Sequence, residues 1–302
     1  MVRSLKEKAL AIKVLWIYAS LFAIGAILIV AGNLARRVDP EGRRQMWIKY
    51  FTYLVITGSV LGSAFLHPLV FSLLATFVLA VCVYEFLLVM QGMVRVGTGL
   101  GIAIALAAIW GERPFLFAVA ASITLLLLIP LFRREYKGAL SSVFPTIVGI
   151  SYVSFLGSHI ILLGGQVNFF GHITFFYMLV LVNDAMALLW GRLLGKRQIW
   201  PVLSPNKTYG GSVGALVWTL LVGYFMRFAE PQWGLFPVLF ASLLIAVFGQ
   251  LGDVVASAFK RVADVKDFGD RLPTFGGMLD RFDAFVFTAP VYYYFVILVS
   301  SI

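Results

Sequence analysis

Long runs of apolar residues with almost no charge recur from one end of the chain to the other, and they leave few folds open. They are Val14–Gly32, Tyr50–Leu66, Pro68–Met90, Gly97–Gly111, Pro114–Phe132, Gly138–Gly165, Phe169–Gly191, Tyr209–Met226, Leu235–Phe259 and Phe282–Ile302. As helices, roughly 20 such residues cross about 30 Å of hydrocarbon. The runs do not alternate apolar and polar positions, as the strands of a membrane barrel do. Composition agrees: 61% of the 302 residues are hydrophobic and 13% are charged, against about 45–50% and 25% in soluble domains. These features predict an all-α, polytopic transmembrane helical bundle. The count is about nine to ten spans, because Gly97–Gly111 is short and Gly138–Gly165 is long.

Cys82 is the single cysteine, which excludes an intrachain disulfide, and within an apolar run it reads as a small buried hydrophobe. The first run lacks a small-residue cleavage site and leads into Arg36-Arg37, the pattern of a membrane anchor and not of a cleaved leader. No internal repeat, low-complexity linker or soluble module stands out. The chain therefore reads as one integral membrane domain over 1–302. Residues 1–165 carry no recognisable motif, and 166–302 carry the chemistry-bearing ones.

Lys and Arg in alternate connectors set the orientation. One set holds Arg36, Arg37, Arg43, Arg44, Lys49, Arg95, Arg133, Arg134, Lys137, Arg192, Lys196, Arg197, Lys207, Lys260, Arg261, Lys266, Arg271 and Arg281; the other holds Arg113 and Arg227. The basic connectors are expected on the cytoplasmic side. Arg3, Lys6, Lys8 and Lys13 run against this, since ten spans put them outside. The net charge of +10 reflects orientation and attraction to anionic headgroups. Nucleic acid is not an expected partner, because no soluble basic face exists to bind it.

Carboxylates inside a bilayer are expensive unless paired or bound to a cation. Glu85, Asp184 and Asp253 fall within the apolar runs, and Asp280 and Asp283 lie at the mouth of the last one. For Glu85 a structural contact and a functional role stand side by side. Asp253, Ser257, Lys260 and Arg261 are spaced to share one helical face. Such a face suits an ion or charged ligand better than a lipid tail. Asp184 follows Asn183 near another basic end. The connector after it runs Ser204-Pro205-Asn206-Lys207-Thr208-Tyr209-Gly210-Gly211-Ser212. Small residues there let backbone N–H groups approach an anion beside Lys207. A plain helix N-cap explains Thr208 nearly as well.

The segment Ser257–Asp283 is more specific. It holds Ser257, Lys260-Arg261, Lys266-Asp267, Gly269, Leu272-Pro273, Gly276-Gly277 and Asp280-Arg281-Phe282-Asp283. At every spacing it resembles the C-terminal motif of the phosphatidate cytidylyltransferase (CDP-diacylglycerol synthase) family. Upstream, Asn183-Asp184, Gly191-Arg192, Gly195-Lys196 and Ser204–Thr208 are similar to further motifs of that family, as is Gly252-Asp253. The likeness covers the C-terminal half. One position departs: Phe275 stands where the family pattern has a histidine. His67, His159 and His172 fall near the non-cytoplasmic ends, where they read as interfacial polar residues.

The resemblance implies a membrane-embedded nucleotidyltransferase that joins CTP to phosphatidate, releases pyrophosphate and requires Mg2+. It implies a site at the cytoplasmic membrane interface, open sideways to acyl chains along Phe282 to Tyr294. Asp253 and Asp280 are the expected metal ligands, with Asp283 and Asp184 as further candidates. Lys207, Lys260, Arg261, Lys266 and Arg281 are expected to neutralise phosphates, and Ser257 to donate a hydrogen bond. Asn183, Asp184, Ser204, Lys207, Thr208, Gly276 and Gly277 are the expected substrate-binding residues. A bacterial inner membrane is the expected location, and a homo-oligomer is compatible with the reading. A transfer to another lipid phosphate, or a secondary transporter, are the alternatives; a transporter more often shows inverted repeats.

Overall fold

The computed structural model describes residues 5–35, 40–133, 136–271 and 276–301. Phe275 and the neighbouring Leu272, Pro273 and Thr274 lie outside the described residues. The elements in chain order are α1 (Leu5–Ala35), α2 (Pro40–Leu66), α3 (Pro68–Val89), α4 (Val94–Ala108), α5 (Glu112–Arg133), α6 (Tyr136–Gly149) and α7 (Leu156–Leu162). Then follow α8 (Phe169–Leu194), β1 (Gln198–Trp200), β2 (Ser204–Thr208), α9 (Tyr209–Met226), α10 (Leu235–Val262) and α11 (Leu279–Ser300). Among the described residues, nine helical stretches are long and apolar enough to cross a membrane by length and composition. The chain is an integral membrane protein of helical-bundle architecture.

The two ambiguous runs resolve differently. Gly138–Gly165 is one candidate span, in which α6 passes through a π-helical stretch, Ile150–Phe155, into α7. Pro145 sits inside α6, upstream of that wider turn, and such turns absorb local departures from α geometry. The Gly97–Gly111 run forms α4, whose 15 residues extend only about 22 Å at 1.5 Å per residue. It is a shorter apolar helix, and Ile104 and Ala105 on it are fully buried.

Burial is lowest in the first two helices and highest in the Gly138–Gly165 span, where 61% of the window is buried. A 12% share of the α1 window and 17% of the α2 window is buried, against 50% for α8 and 44% for α11. The packed centre is formed by α3, the Gly138–Gly165 span, α8, α10 and α11, around residues such as Phe86, Val153, Phe175, Leu179, Ile245 and Val296. The α10–α11 contact is close because Gly252 carries no side chain: a Cβ there would meet Phe287 Cβ at 2.8 Å and Ala284 Cα at 3.1 Å.

At the end of the bundle away from the motifs, His172 Nδ1 lies 2.7 Å from Glu230 Oε1, and Asn168 Nδ2 donates to Glu230 Oε2 at 3.0 Å. Tyr292 O–H donates to Glu230 Oε1 at 3.3 Å. Burial pushes the Glu230 carboxyl above its usual range, against the opposing pull of His172. Of the three histidines, His159 and His172 are buried and packed among aromatic rings, and His67 is exposed, capping α3. Lys13 on α1 lies 5.9 Å from the ring of Phe228. The basic N-terminal part of α1 is therefore at this same end, opposite the other basic connectors.

Candidate active site

Four parts of the chain converge at the motif end: α8, the β1–β2 hairpin, the C-terminal half of α10, and the loop that leads into α11. The fold class had no strands in its sequence reading; the structure adds this one small antiparallel hairpin, with Gln198 opposite Thr208 and Trp200 opposite Ser204. The hairpin ends in an N-cap, where Thr208 Oγ1 accepts from Gly211 N–H at 3.2 Å. That places Thr208 as the start of α9, the plainer of its two sequence readings, and it projects the neighbouring Lys207 toward α10. Lys207 Nζ donates to Asp253 Oδ2 at 2.5 Å and to the Gln250 carbonyl at 3.2 Å.

Behind that pair stand two more acids. Asp184 on α8 and Asp283 on α11 each lie within electrostatic reach of Asp253 and of Lys207, and of one another. Asp283 Oδ1 accepts from Ala284 N–H at 2.8 Å. Asp184 Oδ1 is buried and has no hydrogen-bond partner among the described residues, and the same holds for Asn183 Nδ2. Buried polar atoms are normally satisfied, and an unpartnered carboxylate oxygen beside two further acids and a lysine is one that a cation would satisfy. Gln250 Nε2 reaches Asn183 Oδ1 at 3.4 Å and the Ser212 carbonyl at 3.3 Å. Gln250 was missed in the sequence, although a glutamine three residues before Asp253 in an apolar run is a legible signal.

The donor set suits a hard divalent cation. It consists of carboxylate oxygens, one of them an orphan, beside cations able to hold phosphate. Among the described residues no three His, Cys, Asp or Glu side chains converge tightly enough to hold an ion unaided. Mg2+ commonly takes one or two carboxylates and leaves its other positions to water and substrate phosphates.

Asp253 and Asp280, paired as ligands in the sequence reading, have different surroundings. Lys260 Nζ donates to Asp280 Oδ1 at 2.7 Å, and Asp280 Oδ2 accepts from Phe268 N–H at 2.8 Å and Gly277 N–H at 3.0 Å. Both oxygens are engaged, and the side chain is 3% exposed. Asp253 uses one oxygen on Lys207 and remains 28% exposed. Asp280 therefore ties Phe268 and Gly277 to α10 and α11. Gly276 belongs to the same knot: its φ of +83° is left-handed, and a Cβ would meet Asp267 Cβ at 3.1 Å.

Glu85 completes the knot from α3. Its Oε2 accepts from Leu279 N–H, the first residue of α11, at 2.9 Å. Arg271 Nε lies 3.8 Å from Oε1, and the Arg271 guanidinium stacks 4.5 Å from the Tyr84 ring. A Cβ on Gly277 would come within 2.6 Å of Glu85 Oε2. The structural contact of its two sequence readings is present through Oε2, while the buried Oε1 has no hydrogen-bond partner among the described residues. Arg281 Nη1 donates to Tyr53 on α2 at 3.4 Å and is within electrostatic reach of Asp184. Ser257 is half-buried one turn beyond Asp253, Ser204 is half-buried in the hairpin, and Arg261 and Lys266 are exposed. Arg192 and Lys196 do not join this centre; they line a separate polar hollow on the Thr208 side of the hairpin.

A model of the cytidylyltransferase family matches residues 47–299. A stretch of 121 residues is 46% identical to a phosphatidate cytidylyltransferase of Staphylococcus saprophyticus, covering 40% of this chain and 46% of that protein. A stretch of 124 residues is 44% identical to the enzyme of that name from Staphylococcus aureus, again covering 40% of this chain and 46% of the relative. The matched part thus spans about half the length of these curated relatives. The family match runs through most of the bundle and includes every residue of the site just described: the chain belongs to the cytidylyltransferase family.

Proposed function

We propose that the chain transfers a cytidylyl group from CTP to phosphatidate at the cytoplasmic face of a bacterial inner membrane, giving CDP-diacylglycerol and pyrophosphate. The observation that carries this reading is the Lys207–Asp253 pair beside Asp283 and Asp184, whose buried Oδ1 has no hydrogen-bond partner among the described residues, all at one end of the bundle. Carboxylates alone suit a cation and lysines alone suit an anion. The mixture suits a metal-bound nucleotide. The family relatives named for this activity support the same reading.

A phosphate oxygen of the lipid attacks the α-phosphorus of CTP. The bond from that phosphorus to the bridging oxygen of the β-phosphate breaks, and pyrophosphate leaves with the bonding pair. The attacking phosphate monoester, with a second pKa of about 6, arrives ionised, so no general base is required and no histidine is needed at position 275. What remains is positioning and charge neutralisation. Asp253, with Asp184 and Asp283 behind it, would hold Mg2+, which when bound offsets negative charge on the phosphates. Lys207, Lys260, Arg261, Lys266 and Arg281 neutralise phosphate oxygens, and Ser257 donates a hydrogen bond. Asn183, Ser204 and Thr208 shape the wall from which Lys207 reaches in. Asp280, Gly276 and Gly277 hold the loop that carries Lys266.

The test is purified protein in phosphatidate vesicles with Mg2+ and CTP labelled at its α-phosphate. Label is expected in the lipid fraction, with one pyrophosphate released per lipid. Pyrophosphate release without labelled lipid, or no turnover at all, would overturn the proposal.

A further inference from the structure

Two apolar hollows meet beside the site. One is an open groove of about 860 Å3 between α2 and α3, walled by Trp47, Phe51, Val55 and Ser59 on one side and Phe77 on the other. Met278 and Phe282 line it as well, so it runs up to the helix that carries Asp280, Arg281 and Asp283. Its volume lies within the roughly 300–1,000 Å3 of small-molecule sites. The other hollow is a cavity of about 80 Å3 deeper in the bundle, among Phe71, Leu79, Tyr177 and Val286. Val60, Leu74, Val78 and Phe282 line both, so the two share a wall.

The groove has a charged end and an apolar body. Arg44 lines it together with Met278, which puts its basic end at the site. Arg44 pairs with Glu41 at 3.9 Å, with both side chains well exposed, a pairing of little energetic consequence that an incoming anion exchanges readily. Arg281 reaches across to Tyr53 on α2 at this same end. Deeper down, α2 is held to α8 by the Thr57–Tyr177 hydrogen bond of 3.1 Å. Anchored in this way, α2 forms one wall of the opening.

We propose that this groove seats an acyl chain of the lipid-phosphate substrate, with Arg44 at headgroup level and the phosphate passed to the Arg281 side of the site. The proposal rests on the lipid-phosphate reading given above. Bilayer hydrocarbon is as apolar as the groove wall, so the chain gains little by entering. Discrimination falls to the anionic headgroup against Arg44 and Arg281, and the groove sets the register in which that headgroup arrives. A zwitterionic lipid with the same chains is therefore a poor occupant.

Two measurements test this. Phosphatidate carrying a mid-chain diazirine, irradiated with the protein in nanodiscs, is expected to label α2 and α3 around Phe51, Val55 and Phe77. Unlabelled phosphatidate is expected to compete, and phosphatidylcholine is not. Equal competition by phosphatidylcholine would reduce the groove to ordinary boundary lipid and overturn the proposal. Labelling confined to other helices would overturn it as well. The second measurement fills the groove at an exposed position outside the catalytic machinery, with Ser59→Trp. The KM for long-chain phosphatidate is expected to rise roughly fivefold or more, while turnover of a short-chain, dispersed phosphatidate and the KM for CTP stay within about twofold. No change with either lipid, or equal loss with both, would refute the assignment. The labelling needs no turnover, so an enzyme inactive on phosphatidate would sink the proposed function while leaving the groove result to stand or fall separately.

Discussion

Glu85 is the residue whose replacement tests the architecture of the site most directly. It lies on α3, 194 residues from the Leu279 N–H it accepts, and it touches none of the proposed reacting atoms. Glu85→Gln keeps an oxygen for that N–H but removes the charge. A hydrogen bond to a charged group contributes about 1.5–3 kcal/mol and a neutral one about 0.5–1.5 kcal/mol, so roughly 1 to 1.5 kcal/mol is lost there. The negative charge also faces the N-terminus of α11, where a partly buried anion adds up to about 2 kcal/mol. Arg271 adds little, being 3.8 Å away and 44% exposed. The sum is about 2–3 kcal/mol, felt locally in the loop. Glu85→Ala also strands the buried Leu279 N–H and adds about 1–3 kcal/mol more.

Hydrogen exchange in nanodiscs reads this loss as an opening equilibrium. A change of 2–3 kcal/mol is roughly a 30- to 140-fold gain in opening at the Phe268, Gly277 and Leu279 amides, since 1.4 kcal/mol is tenfold. The far-end amides around Glu230 serve as the internal control and are expected to be unchanged. CTP turnover is expected to fall in parallel with lost protection. Unaltered protection of those three amides in Glu85→Ala would refute the reasoning, whatever happened to activity.

Asp253→Asn is expected to abolish lipid-dependent CTP turnover with membrane insertion and melting temperature preserved, whereas Asp280→Asn is expected to lower both turnover and melting temperature; near-normal turnover in the Asp253 variant would remove it from the metal site. For topology, Val262→Cys and Val167→Cys, both exposed, in a Cys82→Ser background are expected to label from the cytoplasmic and the external side respectively, and the reverse pattern would overturn the orientation. Glu230 is raised by burial, so its contribution to stability is complete below about pH 4.3, the unfolded value, and is lost as the pH rises through the shifted one. Glu230→Gln is expected to flatten the melting profile above about pH 4.3, and a profile matching the parent's would count against this. Phe275→His is expected to lower the KM for CTP by the equivalent of about one charge-assisted hydrogen bond, roughly 1.5–3 kcal/mol, with less change in kcat; lower activity with every substrate would refute it.

Run lengths alone determined that this chain is a helical membrane bundle, because the bilayer sets a minimum apolar length that few other folds satisfy. The spacing of Asp253, Ser257 and Lys260 likewise assigned them to one helical face, since helical geometry repeats along a single element. Motif spacing from Ser257 to Asp283 identified the family expectation for the same local reason. Tertiary structure decided what each charge meets. Asp253 and Asp280 look alike in sequence, yet one pairs with Lys207 from the hairpin and keeps partial exposure, while the other is engaged on both oxygens by Lys260 and two loop amides. Glu85 became the anchor of α11, and Gln250 the bridge between α8 and α9, only once distant helices were in place. His159 and His172 became buried for the same reason. Periodicity reports which residues share a face of one helix, but the partner of that face is set by packing between segments far apart in the chain, and a charge takes its role from that partner.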